Sequence, residues 1–106
     1  MAKFLLMSLN SPSEGQEDEY NKWYEETHIP EILSVPGVKS AKRYKSIGGS
    51  LTEKVKAPYV AIYEIEADDI QTVFGALGAK LGAFPACFEA TTSSSLFATE
   101  ISSSEP

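Results

Sequence analysis

Residues 17–44 read EDEYNKWYEETHIPEILSVPGVKSAKRY. The stretch passes from acidic residues to aromatics at helical spacing, then to a Pro–Gly turn and a basic strand. Ser13, with Gln16 three positions later, has the spacing of a capping box. The acidic run Glu14, Glu17, Asp18 and Glu19 suits the positive end of a helix dipole. The helix is predicted to run to about Thr27 or His28. Pro30 disfavours helical geometry at Ile29 and has no N–H, so a break is predicted near His28–Ile29. A short second piece, Pro30–Ser34, follows. Pro36-Gly37 ends the unit, and Val38–Ser46 reads as a strand.

Upstream, residues 3–9 (KFLLMSL) form an apolar run closed by Asn10-Ser11-Pro12, a strand and a turn. Downstream, residues 47–58 read as a flexible turn or hairpin loop. Tyr59–Glu66 is a strand rich in β-branched and aromatic residues. Asp68 caps a second helix carrying Ile70, Val73, Phe74, Leu77 and Leu81, with Gly82 as its stop. Residues 83–92 are irregular or hold one short helical turn. Ser94–Ser102 is the last strand. A single domain over residues 1–102 with a frayed polar tail at 103–106 is expected.

The order β-α-β-β-α-β is the ferredoxin-like, split βαβ pattern: α+β, a four-stranded antiparallel sheet with both helices on one face. The strands are apolar on both sides. Phe4 and Leu6 oppose Leu5, Met7 and Leu9; Tyr59, Ala61, Tyr63 and Ile65 oppose Val60 and Ile62. A face open to water would alternate with polar residues. The second face therefore needs a cover, and the simplest is the same face of a second copy, a homodimer closing into an α+β barrel.

Composition narrows the function. The chain has 106 residues, nine Lys and Arg against fifteen Asp and Glu, and a net charge of −6. That balance argues against nucleic acid and against an anionic membrane surface. One Cys and one His cannot form a dedicated zinc site. Cys87, between phenylalanines, reads as a buried structural thiol. No disulfide within the chain is possible, no cleavable leader is visible and no stretch is long enough to span a bilayer, so a cytoplasmic protein is expected.

The helix face is unusual. With about 100° per residue, Tyr20, Trp23, Tyr24, Thr27 and His28 share an arc of about 140°. A helix packed on a sheet ordinarily presents Leu, Ile, Val and Ala; here nearly every side chain has a polar atom needing a partner. Aromatic walls with a few convergent polar groups describe a small-molecule pocket. With an ordinary pKa of about 6.5, His28 can give or take a proton near neutrality, or it can be a hydrogen-bonded structural residue. Glu64 and Glu66 are either exposed at a strand end or a carboxylate partner for the imidazole. Arg43 and Lys45 are assigned to ion pairs at a dimer edge.

These residues resemble the signature of EthD-like proteins of the dimeric α+β barrel superfamily: aromatic-Asn-x-Trp-Tyr (Tyr20, Asn21, Trp23, Tyr24), His-aliphatic-Pro (His28, Ile29, Pro30), Pro36-Gly37, and a strand ending Arg43-Tyr44. Asn10 and Gly15 also match. The resemblance implies a homodimer with a pocket between sheet and helices. It implies that His28 lines that pocket, with Trp23 and Tyr24 as walls and Tyr20 on the same face; Asn10 and Tyr44 are carried over from single matching positions. The implied activity is a lyase, isomerase or cyclase that needs no cofactor and acts on a hydrophobic, aromatic or polyketide-like small molecule. His28 would be its general acid or base, and Asn10 or a tyrosine hydroxyl would polarise a carbonyl. The alternatives are a non-catalytic binding or carrier protein, a purely structural association module, and a cofactor-free oxygenase or haem-binding member.

Overall fold

The computed structural model describes residues 2–55, 57–81 and 84–106. Four strands, β1 (Ala2–Asn10), β2 (Val38–Lys45), β3 (Tyr59–Ala67) and β4 (Ser94–Thr99), form one antiparallel sheet in the order β2-β3-β1-β4. The helical segments are α1 (Glu17–Trp23), α2 (Ile29–Leu33), α3 (Ser50–Val55) and α4 (Ile70–Lys80). This is the ferredoxin-like α+β arrangement read from the order of elements. No helix among the described residues is long and apolar enough to cross a membrane.

Strand register sorts every side chain by face. Phe4, Leu6, Ser8 and Asn10 of β1 stand opposite Ile65, Tyr63, Ala61 and Tyr59 of β3. Successive strand residues point to opposite sides, so these share the helix-covered face. The core grows there, around Leu6, Tyr20, Tyr24, Ile32, Tyr63 and Ile65. The other face carries Leu5, Met7, Leu9, Val60 and Ile62, flanked by Tyr44 and Leu96, each 50% exposed. The apolar second face inferred from sequence is therefore real: Leu5, Met7, Val60 and Ile62 are partly exposed on it, and Leu9 is buried.

The first helix departs from expectation at both ends. It begins at Glu17, and its N-cap Gln16 makes no side-chain cap bond. Ser13 instead ties down the distant chain: its Oγ donates to the Ala86 carbonyl at 2.5 Å and its N–H to the Cys87 carbonyl at 2.7 Å. The break at His28–Ile29 does not occur. Ile29 is helical (φ −59°, ψ −49°), and α1 runs into α2 through a π-helical turn at Tyr24–His28. The Ile29 N–H bonds the Tyr24 carbonyl, five residues back. A widened turn carries one residue more than an α turn, so Pro30 is accommodated without ending the helix.

The widened turn also decides which residues face inward. In a plain α-helix, steps of four overshoot by about 40° each, so Tyr20, Tyr24, His28 and Ile32 would drift by about 120°. One extra residue in the turn takes back about 100°. All four are buried in consequence, and Thr27, placed on the inner arc by an ideal wheel, is exposed.

Smaller corrections follow. Residues 47–58 are not simply a loop: α3 forms after Gly48 and Gly49, and the Thr52 hydroxyl bonds the Gly48 carbonyl at 3.1 Å. Asp69, not Asp68, caps α4, its carboxylate accepting the Gln71 N–H at 2.9 Å. Strand β4 stops at Thr99. The expected stop at Gly82 lies outside the described residues. Gly37 has φ +101°, and a Cβ there would lie 3.1 Å from the Glu66 carbonyl oxygen. The Pro–Gly turn thus brings α2 directly against the end of β3.

Candidate functional site

The helix-covered face is not completely filled. A cavity of about 610 Å³ lies between the sheet, α2, α4 and the segment after residue 84. Its floor is Leu6, Ser8 and Asn10 of β1, Tyr63 of β3, and Ser95 and Phe97 of β4. Its roof is His28 and Ile32, then Phe74 and Leu77 of α4, with Phe84 and Phe88 beyond. No Lys, Arg, Asp or Glu is among these lining residues. Apart from the His28 imidazole, the side-chain polar atoms of these residues are on the floor.

His28 is held by aromatic rings. Trp23 stacks on it with centroids 4.6 Å apart and planes 22° apart. Tyr24 meets it edge-on at 4.8 Å, and Phe84 lies 5.8 Å away. Phe84 in turn stacks on Phe88 at 4.4 Å. Burial disfavours the imidazolium, and the Arg43 guanidinium adds repulsion; together they lower the His28 pKa to about 4. At neutral pH the ring is uncharged. The ordinary value assumed from sequence does not apply, so in the empty cavity His28 is a base and not an acid.

Beneath His28 runs a network of hydroxyls centred on Asn10, which is 1% exposed. Its Nδ2 donates to the Ser8 Oγ at 3.1 Å and to the Tyr24 hydroxyl at 3.3 Å. Its Oδ1 accepts from the Tyr20 hydroxyl. The Tyr63 hydroxyl donates to that of Tyr24 at 3.4 Å. Burial pushes the Tyr20 and Tyr63 phenols above their ordinary range, so both stay protonated.

Behind the network sits Arg43. Its guanidinium carbon lies 4.4 Å from the centre of the Tyr24 ring. It bonds the Glu25 carboxylate at 2.8 Å and the Asn21 side-chain oxygen at 2.7 Å. Arg43 therefore clips α1 to β2 within one chain, a different role from the dimer-edge pairing read from sequence. Asn21 adds a bond to the Tyr59 hydroxyl at 3.3 Å. That hydroxyl donates to Glu17 at 2.8 Å.

Of the residues singled out from sequence, the structure brings His28 and Asn10 to the cavity wall. Tyr24 and Tyr20 stand behind the wall, joined to it through Asn10. Trp23 backs the imidazole and is not itself a lining residue. Tyr44 is misplaced: it pairs with Val60 on the opposite face of the sheet and is half exposed. Strand parity explains this, since Arg43 points to the helices and its neighbour must point away. Glu64 also lies on that far face, opposite Leu5, and does not orient the imidazole. Sequence reasoning missed Ser8, Ser95, Phe74, Phe84 and Phe88. A signal for Ser8 was present: it is a polar residue between Leu6 and Asn10 on the inward parity of β1. Among the described residues no group of three or more His, Cys, Asp or Glu is placed to hold a metal.

No family model and no curated protein sequence matches this chain. Solved structures do. An EthD family protein from Bacillus halodurans aligns with a TM-score of 0.56 at 16% identity, covering 95% of this chain and 100% of that one. SnoaB, a cofactor-independent oxygenase from Streptomyces nogalater, aligns at 0.62 and 14% identity, covering 95% of each chain. A dimeric ferredoxin-like protein from an uncultured marine organism aligns at 0.57 and 12% identity, covering 99% of this chain and 92% of that one. At such identities the likeness carries the fold and not the chemistry. The chain has the ferredoxin-like α+β fold that these structures share.

Proposed function

We propose that the protein is a homodimeric enzyme that uses no cofactor and carries out a lyase, isomerase or cyclase reaction on a hydrophobic, aromatic or polyketide-like small molecule. The observation that supports this most directly is an uncharged imidazole on the wall of an otherwise chargeless cavity roofed by aromatic rings. His28 takes a proton from an activated C–H or O–H of the substrate. The imidazolium that forms is opposed by burial, so it needs the enolate or phenolate produced beside it as its counter-charge. The pair is stabilised together, and the imidazolium then returns the proton at another position. A free hydroxyl on the polar floor would serve the developing oxyanion as a donor.

The likeness to SnoaB favours a second reading, a cofactor-free oxygenase. It shares the first step; the carbanion then meets molecular oxygen. Haem is a poor fit, because among the described residues no cation lines the cavity to pair with propionates. The two-fold partner is proposed on the bare apolar sheet face and the dimeric fold relative.

The test uses purified protein and a panel of polyketide-like phenols and ketones, with product and dissolved oxygen followed together. Conversion without oxygen uptake, lost in His28→Ala with the fold intact, supports the first reading. Oxygen uptake equal to turnover supports the second. Saturable binding with every compound recovered unchanged would make this a carrier.

A further inference from the structure

Of the hydroxyls in the floor network, those of Tyr24 and Ser8 accept hydrogen bonds and donate none among the described residues, but only Ser8 lines the cavity. An asparagine side chain has two N–H protons. In Asn10 one goes to Ser8 Oγ and the other to the Tyr24 hydroxyl, and Oδ1 is taken by Tyr20. Asn10 has no proton left for a ligand. Ser8 is the reverse case. Its oxygen accepts from Asn10, and among the described residues its own proton has no acceptor. Ser8 is half-buried and lines the cavity. Accepting one hydrogen bond polarises the hydroxyl and makes it a better donor. Its cross-strand neighbour Ser95 and the nearby Ser93 also line the cavity, but both are exposed and neither hydroxyl accepts a polarising hydrogen bond among the described residues.

We propose that Ser8 is the ligand-contacting donor of this site: its hydroxyl bonds a carbonyl or phenolic oxygen of a flat, uncharged aromatic ligand, and Asn10 is a positioning residue that aims it. The proposal rests on the reading of the cavity as a small-molecule site. It replaces Asn10, one of the two donors expected from sequence, the other being a tyrosine hydroxyl. It also explains why a polar residue stands on the inward parity of β1 between Leu6 and Asn10.

The probes are 9-fluorenone and fluorene, which share a skeleton and differ by the carbonyl. Binding is read by quenching of Trp23, the only tryptophan. The C=O stretching band of bound 9-fluorenone reports hydrogen bonding directly. Wild type should prefer 9-fluorenone by about fivefold, the worth of one hydrogen bond, with its band shifted to lower frequency. Ser8→Ala should abolish both the preference and the shift while still binding fluorene. Ser8→Thr should restore them, and Asn10→Ala should leave the band at an intermediate position. A preference and shift that survive Ser8→Ala, or that vanish instead in Ser95→Ala or Tyr63→Phe, overturn the assignment. Equal binding of the two probes by wild type overturns it too and leaves the small-molecule reading standing. Binding of neither probe overturns both.

Discussion

The imidazole of His28 stacks on the indole of Trp23, centroid to centroid 4.6 Å with planes 22° apart, on the wall of a cavity to which the described lining residues bring no formal charge. Stacking fixes the ring plane, and burial removes its charge. The two effects come from the same helical turn, because the widened turn at Tyr24–His28 puts both rings on the inner side of one helix.

The pKa of about 4 has a sign that equilibrium unfolding can read. The unfolded chain takes up its histidine proton near pH 6.5, and the folded chain resists until about pH 4. Between those values the unfolded state binds more protons, so stability is complete above pH 6.5 and falls as pH drops through the window. The loss should be on the order of 3 kcal/mol by pH 4. Denaturant midpoints across this range should fall more steeply for wild type than for His28→Gln. Because His28 is the only histidine, its ring C–H resonances should titrate without overlap, with a midpoint well below 6.5.

Arg43 is the second cause of that depression and the clip between α1 and β2. Arg43→Met removes the charge and keeps much of the stem packing on Tyr24. The His28 midpoint should move partway back toward its ordinary value, since burial is the larger cause. Arg43→Lys keeps the charge but loses the planar fork that reaches Glu25 and Asn21 together. It should leave the midpoint low while costing about 1 kcal/mol of stability. An NMR titration and a urea melt of the two variants separate the effects.

Gly37 should tolerate nothing larger. Its φ of +101° strains any L side chain, and the missing Cβ faces the Glu66 carbonyl oxygen at 3.1 Å. Gly37→Ala should destabilise by about 2 kcal/mol, combining backbone strain with the clash. Gly15→Ala is the control: its φ is +77° but nothing stands within 4 Å, so only the strain remains and the loss should be about half as large. Thermal melts of both variants check the difference.

The apolar face of the sheet should bind its own copy. Ile62 stands near the middle of that face, between Met7 and Lys42. Ile62→Lys places a charge where a dimer would bury it without a partner. Sedimentation at micromolar concentration should show a dimer for wild type and a monomer for the variant. A wild-type monomer would remove the barrel from the account.

Much of the fold was legible because strands and helices announce themselves by period. β1, β2 and β3 were each placed within a residue, and the two-sided apolar strands exposed the bare face of the sheet. The errors share a cause. Ser13 was read as a cap from local spacing, whereas its partners are the carbonyls of Ala86 and Cys87, more than seventy residues away. Pro30 was read as a break because local rules do not include a π turn that relieves it. Tyr44 is carried over as a site residue from a single matching position because a motif match does not say which side of a strand a residue takes.

The sequence alone determined the order of elements and the two-faced sheet. These follow from local periodicity, which is written in consecutive residues. Only the tertiary structure decided that His28 is uncharged, that Asn10 has no proton to offer and that Ser8 has one. Charge state and hydrogen-bond assignment depend on desolvation and on partners from β1, β2 and β3 at once, and those distances exist only after the chain has folded.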